Sequence, residues 1–236
     1  MRRMTVCPMM LFAWTAFCAA TLPVRAQTAQ TKYPTMAPVD QYLMPDRNAE
    51  IALARTAAPS SISGDAQILV LGKEGYEVAV KGTNDFVCMV ERGWDAAIGD
   101  PVFWNPKNRS PICLNAAAAR SYLPISLLKA QLALSGKTQA QIGDALKAAF
   151  DEKKLPVIEP GAMCYMLSKE GYLNDAVGHW HPHVMFFAPL DMAKTWGANE
   201  DGSPIFSGDD VFARLTIFMI PVARWSDGSP DESAGH

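Results

Sequence analysis

The chain has 236 residues, of which 49% are hydrophobic and 19% charged, with 21 basic against 24 acidic side chains. This composition suits a folded core rather than a disordered chain, and the lack of any basic cluster excludes nucleic acid as an expected partner. The length allows one domain with a sizeable core.

Met1-Arg2-Arg3, the uncharged apolar run Val6 to Ala20 and the small residues around Val24-Arg25-Ala26 predict a secretory signal peptide over 1–26. The apolar run is shorter than the about 20 residues a bilayer span requires. The expectation is export to the periplasm or beyond, with no membrane span after cleavage. Arg2, Arg3 and Arg25 leave with the leader, so 18 basic residues then face 24 acidic ones. Cys7 and Cys18 leave as well, and Cys88, Cys113 and Cys164 remain. In an oxidising compartment an odd count predicts one disulfide and one spare thiol. Cys88 and Cys113, nearest in sequence, are the expected bridge, with Cys113–Cys164 as the alternative.

Residues 27–45 hold scattered prolines without periodicity and read as an extended arm ahead of a single domain over 46–225. Asp46 is placed to cap a short helix ending at Arg55, and Ser60 to Gly64 reads as a linker. Gln67–Leu71, Tyr76–Val80 and Asp85–Glu91 are β-rich runs separated by Gly-containing turns, which predicts a three-stranded antiparallel meander. Gly93 to Pro111 reads as an irregular loop. Ala116 to Leu134 is helical and divided by Pro124, and Thr138 caps a second helix over Gln139 to Lys153. Three later strands follow, over Ala162–Leu167, the histidine stretch running to Ala188, and Phe212–Val222. The tail 226–236 has a disordered composition. Strands and helices are grouped rather than alternating, so the predicted class is α+β, an antiparallel sheet with its helices packed on one side.

The chain's histidines other than the terminal His236 fall at every second position: His179, His181 and His183. On a regular strand the three share one face. Same-face neighbours lie about 6.6–7 Å apart, close enough for two imidazoles to lean onto one ion. Pro182 disfavours the helical alternative and could mark a bulge. Cys164, on the preceding strand, is the candidate thiol, either as a soft ligand suited to zinc or copper or as a nucleophile with histidine as its base. Asp175, four residues before His179, is a candidate for orienting an imidazole or serving in catalysis. No phosphate loop, dinucleotide fingerprint, nucleophile elbow or Cys-x-x-Cys pair is present.

Three readings stand. The first is an exported protein whose histidine face binds a transition metal or small ligand. The second is a metal- or thiol-dependent hydrolase, and the third a non-catalytic structural or interaction domain. The sequence does not decide whether the protein is an enzyme.

Overall fold

Apolar side chains on both faces of one sheet decide the architecture. A computed structural model describes residues 32–232, and the expected leader over 1–26 lies outside them. β1 (Gln67–Gly72) and β2 (Gly75–Val80) form the antiparallel hairpin that the turn at Gly72–Gly75 requires. β3 (Val87–Glu91) then departs from the expected meander. It pairs with β1 rather than β2, and in parallel.

The reason lies in residues 81–86, which do not turn tightly but cross beneath the start of β1. Thr83 N–H donates to Asp65 O (2.7 Å), and Gln67 N–H donates to Phe86 O (2.8 Å). A Cβ at Gly82 would lie 2.2 Å from Gln67 N, so only glycine lets the two backbones pass.

The sheet is completed by β4 (Ser110–Leu114), β5 (Met163–Met166), β6 (His183–Pro189), β7 (Phe206–Asp210) and β8 (Leu215–Pro221). Among the described residues it is eight-stranded, in the order β2-β1-β3-β4-β5-β6-β8-β7, and every neighbouring pair except β1–β3 is antiparallel. Two strands lay outside the expected set: β4, which begins within the segment read as loop, and β7, in a stretch to which no strand was assigned. The α+β class stands; a meander followed by three later strands does not describe the topology.

Helices form where their caps predict them. Asp46 accepts from Asn48 N–H (2.8 Å) and starts α1 (Arg47–Arg55), while the expected linker contains the single turn α2 (Ser60–Ser63). Asn115 caps α3 (Ala116–Ser121), Pro124 sits in the first turn of α4 (Leu123–Leu134), and Thr138 with Gln141 makes a capping box for α5 (Gln139–Asp151).

These helices do not share one side of the sheet. Leu53 and Ala54 of α1 pack with Ile68, Val70, Cys88, Val90 and Cys113. Residues of α4 and α5, among them Ile125, Ala130, Ile142 and Leu146, pack with Leu69, Met89, Ile112 and Cys164. Alternation along β1 and β3 assigns these two sets to opposite faces. The helices therefore cover both, because β1, β3 and β4 are apolar on both.

The N-terminal arm is tied to the body: Tyr42 is fully buried, with its ring 4.8 Å from that of Trp94 and its hydroxyl donating to Trp104 O (2.9 Å). At the other end, residues 226–232 continue the fold despite their composition. Trp225 N–H donates to Ser229 O (3.0 Å), Asp231 N–H to Ala223 O (3.0 Å), and Asp231 is largely buried. No helix among the described residues is long and apolar enough to cross a membrane.

Candidate functional site

The histidine stretch is not one strand. β6 begins only at His183, and His179 to Pro182 approach it as irregular chain, so the alternation that would put three imidazoles on one face does not hold. Pro182 lies at the junction, where a residue without an N–H ends regular pairing. His179 rests edge-on against Trp225, ring centres 5.5 Å apart, and its Nδ1 lies 3.1 Å from Trp180 O. His181 is half exposed and sets Nδ1 2.7 Å from Oδ2 of the buried Asp231.

His183 alone enters the interior, with 2% of its surface exposed. Its Nδ1 is 2.7 Å from His181 O, and since a carbonyl only accepts, Nδ1 carries the proton and Nε2 is left as an acceptor. Nε2 is buried and has no hydrogen-bond partner. Among the described residues, no group of three or more His, Cys, Asp or Glu side chains is gathered as a metal ion would need.

The other candidates lie elsewhere. Cys88 and Cys113 face one another across β3 and β4 and are disulfide-bonded, as expected. Cys164 is free and fully buried, and its β6 neighbour is Met185; the residue opposite His183 is Met166. Burial, reinforced by Glu91, pushes its thiol far above the ordinary value, which opposes the thiolate that ligation or nucleophilic attack requires. Asp175 meets no imidazole. It accepts from Tyr33 (2.8 Å), Lys107 (3.1 Å), Lys32 and Tyr172 at the surface, and these bonds, Lys32 first, hold its carboxyl well below the usual carboxylate range. It fastens the arm to the body.

His183 instead opens onto a cavity of about 400 Å³ on the α4 side of the sheet. Register builds its wall: Met166 lies opposite His183, Met185 opposite Met219, Phe206 opposite Met219 and Gly208 opposite Ile217. All of these line the cavity, and Trp180 adds an indole set edge-on to His183 at 5.2 Å.

The polar part comes from the end of β3 and the turn after it. Glu91 shares a face with Val87 and Met89, and its Oε1 accepts from Tyr122 Oη (3.1 Å) and Ser126 Oγ (3.3 Å). Burial, with Asp95 close by, holds the Glu91 carboxyl well above the carboxylate range, so it keeps its proton. Asp95 accepts from Arg92 N–H through Oδ2 (3.0 Å), and burial raises its pKa to about 6. Its Oδ1 is buried without a hydrogen-bond partner.

The neighbouring cations are already engaged. Lys129 Nζ, from α4, donates to Asp95 O (3.3 Å), Ala96 O (3.2 Å) and Asp210 Oδ2 (3.2 Å). Arg92 gives its guanidinium to Glu50 (2.8 Å), Tyr42 O (2.8 Å) and Val90 O. The site thus joins a carboxyl biased toward its protonated form, a second carboxyl with a pKa of about 6 and a buried imidazole biased toward its neutral form, beside a mainly apolar, half-open cleft. Such a place can bind a polar group out of water or exchange a proton with it.

Neither a protein-family model, nor a curated protein, nor a solved structure matches the chain. Of the cavity's polar groups, sequence reasoning singled out only His183. Glu91, Asp95, Lys129 and Asp210 were missed. For Glu91 a signal existed: alternation puts it in line with Val87 and Met89, a charged residue on an apolar face. Asp95, Lys129 and Asp210 carry no such mark, since each becomes buried only through long-range packing.

Proposed function

We propose that this is an exported binding protein for a small, largely apolar molecule, held in the cavity between His183, Trp180 and β7. The observation that carries the reading is a half-open, mainly apolar cleft lined by His183, a buried side chain whose Nε2 has no hydrogen-bond partner. A buried acceptor left unpaired costs about 1–3 kcal/mol, which a ligand donating to it would recover. The leader and the Cys88–Cys113 disulfide support export, since disulfides persist in oxidising compartments.

Gly208 provides the test. It lines the cavity, and a Cβ built on it meets nothing within 4 Å, so a larger side chain there would enter the space without disturbing the strand. N-phenyl-1-naphthylamine, a neutral dye that brightens in apolar surroundings, should bind the parent saturably at one site. Gly208→Phe should lose at least about tenfold in affinity while melting no lower than the parent. Dye binding that is absent, or indifferent to Gly208→Phe, would exclude the cavity as a binding site.

A general acid–base hydrolase is the second reading. It is favoured by the separation of Glu91 and Asp95 into a protonated and a largely ionised carboxyl. It would use neither Cys164 nor a metal-bound histidine cluster, and ester turnover abolished by both Glu91→Gln and Asp95→Asn would mark it.

A further inference from the structure

Resting on the binding reading, we infer that the polar end of the bound molecule is a protonated amine, so that the natural ligand is a small hydrophobic amine. Three observations lead there. First, two side chains that line the cavity hold a buried acceptor atom without a hydrogen-bond partner: His183 Nε2, whose ring proton is committed to His181 O, and Asp95 Oδ1. Two such acceptors suit a ligand that donates in more than one direction, and an ammonium has three N–H groups where a hydroxyl has one.

Second, the charge bordering the cavity is unbalanced. Asp95, Asp209 and Asp210 line it. The nearby cations, Lys129 and Arg92, are held by Asp210, Glu50 and backbone carbonyls. A carboxylate or phosphate entering here would meet like charge, with no unengaged cation among the described residues that line the cavity, whereas an ammonium supplies the missing one. Third, the lining includes the aromatic side chains of Trp180, Phe206 and Tyr122, a ring type that attracts cations rather than anions to its face.

The groups facing Asp95 are Glu91 and Arg92 from the β3 end, Lys129 and Ser126 from α4, Tyr122 before it, Tyr76 from β2, and across the cavity His183 and Asp210. Of these, Asp95 is the acid whose charge changes near neutrality, with a pKa of about 6.

The experiment compares molecules of one shape with three ends: 4-phenylbutylamine, 4-phenylbutan-1-ol and 4-phenylbutanoate. Each is titrated calorimetrically into the full-length protein and also used to displace N-phenyl-1-naphthylamine. The amine should bind at least about tenfold tighter than the alcohol near neutral pH, with the carboxylate weakest. Asp95→Asn, which keeps the acceptor that caps Arg92 N–H, should remove most of the amine's advantage and leave the alcohol unchanged.

Should that variant fail to fold, the parent protein serves. Lowering the pH by about one unit below the Asp95 pKa should weaken the amine about tenfold and spare the alcohol. Dye binding with no preference for the amine, or with no displacement by any of the three, overturns the amine inference and leaves the binding reading standing. Failure of the dye and of all three molecules overturns both.

Discussion

Glu91 and Arg92 are adjacent in sequence, yet they belong to opposite kinds of polar interior. Arg92 turns to α1, where Glu50 Oε1 takes its guanidinium at 2.8 Å and the N–H of Leu71 at 3.1 Å, while Tyr42 O accepts from Nε and Val90 O from Nη1. Both side chains of that pair are buried and both are satisfied. Glu91 turns to α4, into a group where Asp95 Oδ1 and His183 Nε2 have no partner and two carboxyls are displaced from their ordinary ionisation. A finished cluster fixes architecture. An unfinished one beside an apolar void has the chemistry of a binding site, because an outside molecule can complete it.

The strongest test of that contrast compares two buried ion pairs. Arg92→Met strands the Glu50 carboxylate in a dry, closed setting and should cost about 3–5 kcal/mol in urea denaturation. Lys129→Met strands Asp210, but Asp210 keeps the N–H groups of Phe212 (3.1 Å) and Ala213 (3.0 Å) and borders a cavity that admits water. Its cost should be smaller, about 1–3 kcal/mol. Equal losses would erase the distinction between the two regions.

Next in size is a pH effect. Glu91 and Asp95 have folded pKa values above their ordinary ones, so the folded state holds protons that the unfolded chain releases. The stability this gives is complete below the unfolded pKa and is lost as pH rises, for Asp95 between about 3.8 and about 6, and for Glu91 from 4.5 upward. Denaturation of the parent should therefore show stability falling with pH over this range. Glu91→Gln removes one titration, should flatten the slope, and should be more stable than the parent near neutrality. Parallel slopes in the two proteins would show that Glu91 ionises in the fold.

The same contrast explains what the sequence allowed to be read. Local chemistry was legible: Asp46, Thr138 and Pro124 mark helix boundaries through their own backbone constraints, and they stand where expected. The Cys88–Cys113 bridge followed from a count and a spacing. Features supplied by distant partners were hidden. β7 is Phe-Ser-Gly-Asp-Asp, a polar edge strand whose pairing comes entirely from β8. β4 carries Pro111, which reads as a breaker but lies within the ladder opposite Val90. The parallel β1–β3 pairing depends on a crossing that turn residues alone do not distinguish from a hairpin. The candidate site fell between these cases. His183 was named for a shared histidine face, but its position comes from being the first residue of β6, beyond the break at Pro182.

The smallest effect tests that imidazole directly. Burial lowers the pKa of His183, with the charge of His181 adding to it and the bond to His181 O opposing it, so the ring stays neutral where an unfolded histidine takes up a proton. For a base held low, the stability is complete above the unfolded value of 6.5 and is lost as pH falls below it. This runs opposite to the carboxyl effect and is partly masked by it, so it is best read in the Glu91→Gln background. There, stability should decline on acidification from 6.5, and adding His183→Phe should flatten the decline, whatever constant offset the lost Nδ1–H bond introduces. The readout is the difference in slope, which His179 and His181, present in both proteins, do not change. Equal slopes would mean that the buried ring takes up a proton in the fold. Nε2 would then be a donor, and the acceptor that the hydrophobic-amine reading places at this end of the cavity would be absent.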